Sequence, residues 1–123
     1  MPNRHAAKGD NFERLLVEYL RAELGPHLTR PRCGATDDRG DIAGIPGWTV
    51  EAKCWADPWK AISQGLLELE IEQANAGTRH GLLVVKRPRV AAPERQLAVM
   101  SLAGAAVLMA DTQRRHEGPG DAA

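Results

Sequence analysis

Asp41 and the triplet Glu51-Ala52-Lys53 are the residues with the clearest chemical promise in this sequence of 123 amino acids. They frame a stretch, Trp48 to Trp55, whose composition reads as a β-strand. Side chains alternate along a strand, so Trp48, Val50, Ala52 and Cys54 share one face, and Thr49, Glu51, Lys53 and Trp55 share the other. Glu51 and Lys53 then stand about 7 Å apart on one face. Carboxylates of this kind suit a hard cation such as Mg²⁺, which takes oxygen ligands and retains waters or phosphate oxygens. Asp41 and Glu51 are the expected ligands, with the carbonyl of Ala52 as a third oxygen. Lys53 beside the ion would orient or deprotonate a water, or stabilise charge on a phosphoryl group. The four histidines (His5, His27, His80 and His116) are scattered without the paired spacing of a zinc site. The bland alternative is a surface hairpin carrying an ordinary ion pair, worth less than about 1 kcal/mol.

Register separates the two readings. Asp41 opens a second apolar run ending at Ile45, and Pro46-Gly47 lies between the runs as a turn signal. A plain two-residue hairpin pairs 45 with 48 and sends Asp41 to the wrong face. The site requires 43 opposite 51, and so a bulge near Gly44 or Gly47.

The other elements must position these groups. Residues 1–8 read as a frayed basic arm. Asp10 or Asn11 is expected to cap a helix with apolar residues at Phe12, Leu15, Leu16, Tyr19 and Leu20, closed by Gly25-Pro26. Glu13 lies on the border of that stripe, able to face water or to reach a neighbouring sheet. His27 to Cys33 has weak strand character, and strands are expected at 41–45 and 48–55. Asp57-Pro58 marks a helix start, with the helix running to about Ala76 and closed by Gly77. Gly81 to Lys86 reads as a buried strand. A short helix over 94–102 and a last strand over 105–110 complete the expectation. The helix between the third and fourth strands permits parallel pairing. The fold class is therefore α/β, a central mixed sheet flanked by helices, with one domain over 1–111 and a disordered tail over 112–123.

Acidic and basic residues number 16 each, so the formal charge is zero, and 43% of residues are hydrophobic. That is the composition of an ordinary soluble globular protein. It disfavours a protein that coats nucleic acid non-specifically. Residues 79–95 hold five cations against one acid, whereas the preceding helix carries Glu68, Glu70 and Glu72. Such segregation could give one basic and one acidic face. No apolar run reaches membrane-spanning length, and the N-terminus lacks a signal-peptide core, so a cytoplasmic location without membrane attachment is expected. Cys33 and Cys54 form no CxxC and are expected to be reduced.

Gly40-Asp41, nine intervening residues and Glu51-Ala52-Lys53 together resemble the D…ExK signature of the restriction-endonuclease-like nuclease superfamily. Within it, residues 9–87 look most like archaeal-type Holliday junction resolvases and related phage nucleases. The resemblance implies the element order αβββαβ(α)β. Gly9 to Tyr19 resembles the opening helix, whose early glutamate joins the metal site and matches Glu13. Gly81 to Lys86 resembles the next strand, which ends in a functional lysine, here Lys86. Thr36 is the hydroxyl nearest the loop position where those resolvases carry a serine. Gln64 either approaches the site, as a glutamine does in related nucleases, or is a plain surface amide. Trp55 and Trp59 either stack on bases or serve core or dimer contacts. Arg30, Arg32, Arg87 and Arg89 are candidate phosphate contacts. The implied activity is Mg²⁺-dependent cleavage of branched DNA such as four-way junctions, with Mn²⁺ as a substitute, by a C2 homodimer. A restriction-type or repair nicking enzyme, and a non-catalytic DNA-binding module, are the alternatives.

Overall fold

The computed structural model describes residues 4–30 and 40–117. The elements are α1 (Arg4–Leu24), β1 (Trp48–Lys53), α2 (Pro58–Ala76), β2 (His80–Val85), a 3₁₀ turn (Pro93–Arg95), β3 (Leu97–Val99) and α3 (Leu102–His116). The sheet has the order β1-β2-β3. β1 and β2 are parallel, with Glu51 beside Leu83 and Lys53 beside Val85. β2 and β3 are antiparallel. The class is α/β with a small mixed sheet, and the parallel pair is joined by α2 as the sequence anticipates.

Alternation along the strands sorts the core into two halves. Val50 and Val84 face α1, where Phe12, Leu16, Val17, Leu28 and Ile42 bury against them. Leu83 and Val85 face α2 and pack on Ala61 and Leu69. Gly65 lets α2 approach closely, because a Cβ there would lie 2.7 Å from Leu83 Cδ1. Asp57 caps α2 by accepting the N–H groups of Trp59 and Lys60, and Gly77 closes it with its N–H on Gln73 O. α3 is fixed to the start of β2 through Asp111, which receives Arg79 at 2.8 and 2.9 Å and lies 3.0 Å from His80 Nε2.

Several expectations are corrected. α1 begins at Arg4 and not at a cap near residue 10, since Ala6-Ala7-Lys8 favours helix. The Asp10 carboxylate instead pairs with Arg14 and Arg30. Among the described residues, the strands expected over 27–33 and 41–45 reduce to the single pairs Thr29 with Ala43 and Ile42 with Val50, and 31–33 lie outside those residues. Residues 94–102 hold the 3₁₀ turn and β3, not a helix, and 105–110 lie inside α3, not in a strand. α3 also takes in 112–116, which the sequence assigns to a disordered tail.

Candidate active site

The chain reaches the site through a turn and a bulge. Trp48 N–H donates to Ile45 O at 3.1 Å, with Pro46 and Gly47 as the central pair and Gly47 at φ +82°. That is the pattern of a type II turn. Two residues separate Ile42 from Ile45, but only one separates Trp48 from Val50, so the upstream side holds one residue more. Gly44, at φ +99°, takes up the excess. The observed pair is Ile42 with Val50, not 43 with 51. Both pairings have the same parity, so Asp41 falls on the side of Glu51. Asp41 N–H donates to Val50 O at 2.8 Å, and Asp41 Oδ2 accepts the Ala52 N–H at 2.9 Å.

Glu13, Asp41, Glu51, Ala52, Lys53 and Trp55 all line one cavity of about 420 Å³ at the carboxyl end of β1. The side chains of Glu13, Asp41, Glu51 and Lys53, from three stretches of sequence, are thereby brought to one place. Glu51 is only 4% exposed. Burial first, then hydrogen bonds with Asp41 and Glu72, push its pKa far above the ordinary carboxylate range. Burial and the charge of Asp41 raise Glu13 to about 7, against the opposing field of Arg30 3.9 Å away. Carboxyl groups crowded in this way hold protons that a cation would displace.

Lys53 pairs with Glu68 and lies 5.0 Å from the centroid of the Trp55 ring. Burial opposes its charge, but Glu68, Glu51 and Asp41 outweigh burial and raise its pKa above the usual lysine value. These neighbours favour the charged form of Lys53. Gln64 Nε2 donates to Glu68 Oε1 at 3.2 Å, so its amide reaches the site only through Glu68.

Glu68 and Glu72 enter the site without having been singled out by the sequence. Single carboxylate oxygens of Glu51, Glu68 and Glu72 lie within 4.8 Å of one another. The signal for Glu72 was its place on the buried stripe of α2 beside Ala61, Gly65 and Leu69. The donor set fits a hard cation: acidic oxygens alone, with protons held against their charge. Glu72 is buried and Glu68 is paired with Lys53, and neither lines the cavity. Glu13, Asp41 and Glu51 do line it, and of these Glu51 alone belongs to the close group of carboxylates.

The expected phosphate contacts are not gathered there. Arg30 is engaged by Asp10 and Glu13. Lys86 donates its ammonium to the carbonyls of Arg87 and Val90, and lines a neighbouring cavity. Arg87 donates to Arg95 O at 3.1 Å, and Arg89 is exposed on the turn beyond β2. Arg32, Thr36 and Cys33 lie outside the described residues. Among the described residues no helix is long and apolar enough to cross a membrane. Compared with protein-family models, curated proteins and solved structures, the chain matches none.

Proposed function

We propose that this protein is a Mg²⁺-dependent endonuclease that hydrolyses phosphodiesters of branched DNA, four-way junctions above all. The observation that carries the reading is the convergence of Glu13, Asp41, Glu51 and Lys53 on one open cavity. It adds to the likeness of the D…ExK arrangement to restriction-endonuclease-like nucleases. Asp41, Glu51 and Glu13 would hold the cation, with the Ala52 carbonyl as a further oxygen donor. When bound, the cation supplies the Lewis acid that draws charge from the scissile phosphate. The Asp41 carboxylate is fixed by the Ala52 N–H, so little reorganisation is needed on binding. Lys53, held charged by its acidic neighbours, orients the attacking water and offsets the negative charge growing on the phosphoryl oxygens. Glu68 and Trp55 keep the ammonium at the cavity wall. Symmetric incision of a junction calls for two sites related by a twofold axis, hence a homodimer.

The test is incubation with four-way junction, nicked, flap and linear duplex DNA, in Mg²⁺ or in EDTA. Junction-selective cutting that requires Mg²⁺ and falls at least about a hundredfold in Lys53→Ala is the expected result, the size following from loss of one preorganised charge. Cutting of linear duplex at a fixed sequence would make it a restriction-type enzyme. Binding without cutting in any divalent cation would make it a DNA-binding module.

A further inference from the structure

Beyond the cavity, the chain makes a turn through a non-glycine residue of positive φ. Lys86 N–H donates to Lys53 O at 3.0 Å, so the chain leaves β2 directly beside the triplet lysine. Residues 87–90 then form a turn closed by Val90 N–H on Arg87 O at 3.3 Å, with Pro88 and Arg89 as its central pair. Arg89 has φ +63°, and among the described residues it alone takes a positive φ without being glycine. The second central position of such a turn favours glycine or asparagine, because a Cβ there is strained.

The fold nevertheless braces this conformation heavily. Gln96 Oε1 accepts the Arg87 N–H at 2.7 Å, and Gln96 Nε2 donates to Val90 O and Ala92 O at 2.9 Å each. Lys86 Nζ donates to Arg87 O at 2.8 Å and to Val90 O. Two polar side chains are thus committed to holding a turn whose tip is an exposed arginine. Arg89 itself carries no ion pair among the described residues. A costly backbone held by its surroundings, with an exposed side chain that makes no ion pair among the described residues, points to a function for that side chain.

A path joins the tip to the acidic cavity. A second cavity, of about 420 Å³, is lined by Lys8, Asn11, Phe12, Leu15, Lys86 and Ala91, and it shares Cys54 with the first. Ala91 follows the turn directly. The surface thus passes from carboxylates, across Cys54, to a mixed apolar and basic wall that ends at Ala91, two residues from Arg89.

We infer that Arg89 is a phosphate clamp: the braced turn presents its guanidinium to the backbone of a nucleic-acid strand leaving the acidic cavity past Cys54. Lys86 and Gln96 are positioning residues for that clamp. The inference rests on the nuclease reading for where the strand lies, but its test needs no cleavage. Arg89→Gly, Arg89→Ala and Arg89→Lys are compared with the wild type by thermal melting and by fluorescence anisotropy on junction and duplex DNA, in EDTA, over a range of KCl. Arg89→Gly is expected to melt higher than the wild type, since it relieves the turn. It and Arg89→Ala should bind roughly tenfold more weakly at low salt, with the slope of log affinity against log salt smaller by about one. Arg89→Lys should retain the slope. Wild-type affinity and slope in both Arg89→Gly and Arg89→Ala would overturn the clamp, as would a wild type that binds no DNA. A clamp verified by binding, in a protein that cuts nothing, would leave this inference standing and sink the nuclease reading alone.

Discussion

At the scale of single residues, the site is a set of acids whose charges oppose folding until something neutralises them. Glu13 sits near 7 in the fold, against an ordinary value of 4.5. A carboxyl whose pKa is raised on folding binds its proton more tightly in the native state. Its contribution to stability is complete below about pH 4.5 and is lost as pH rises through 7. We expect the metal-free protein to lose stability over that window, by an amount on the order of 2 kcal/mol from Glu13. Urea unfolding at pH 5 and pH 7.5 measures it, and Glu13→Gln should reduce the difference, leaving the contribution of Glu51, which has the same sign. A stability that climbs over the same window would contradict the electrostatics. Glu72 makes a related prediction. Its carboxyl bonds to Glu51 in the buried side of the cluster. Glu72→Gln removes one acid while keeping the shape, and should raise metal-free stability by about 1 kcal/mol or more. An equal loss would show that Glu72 supports the fold. Asp41, Glu51 and Lys53 were legible because strand parity and a turn sufficed to place them. Glu72 was not, because an acid on a helix that also carries Glu68 and Glu70 reads as solvated charge until its stripe is aligned with Leu69 and Gly65.

At the scale of elements, what was legible followed strong local signals. The Asp57-Pro58 start and the Gly77 end of α2 are chemical punctuation, and both appear in the structure. So does the continuous apolar run that forms β2. The run at 105–110 was misread as a strand because six apolar residues have no decisive period. Ala, Leu and Met favour helix, and the Ser101 hydroxyl accepts the Gly104 N–H to start it. The expected strand at 41–45 could not extend, since Gly44 and the bulge interrupt its ladder after Ile42. The α2–β2 contact offers a test in which two effects compete. Gly65→Ala gains about 1 kcal/mol of helix propensity. Its new Cβ would meet Leu83 at 2.7 Å, and overpacking of that kind costs about 1–3 kcal/mol. We expect net destabilisation in urea unfolding; a more stable variant would mean that α2 can lift off the sheet without penalty.

At the scale of the whole molecule, α2 turns one face to the core and the other outward, where Trp59, Leu67 and Ile71 are 79%, 61% and 60% exposed. Spaced four or eight residues apart, they form a ridge along the helix. The ridge is self-complementary about the level of residue 65. In an antiparallel pair of α2 helices Trp59 would meet Ile71, and Lys60 would meet Glu70. This pattern fits the isologous contact of a twofold dimer, the assembly proposed for symmetric junction cutting. Sedimentation at micromolar concentration should give a dimer for the wild type and a monomer for Leu67→Glu. A wild-type monomer would remove the dimer from the account and leave the site untouched.

The claim on which all of this rests is that one divalent cation is held by Asp41 and Glu51 at the cavity. Titration calorimetry with Mn²⁺ at pH 7.5 addresses it directly. The account predicts a binding event that Mg²⁺ competes away, that releases protons to the buffer, and that disappears in both Asp41→Asn and Glu51→Gln. Binding that persists undiminished in those two variants, or no binding by the wild type at millimolar metal, would contradict it.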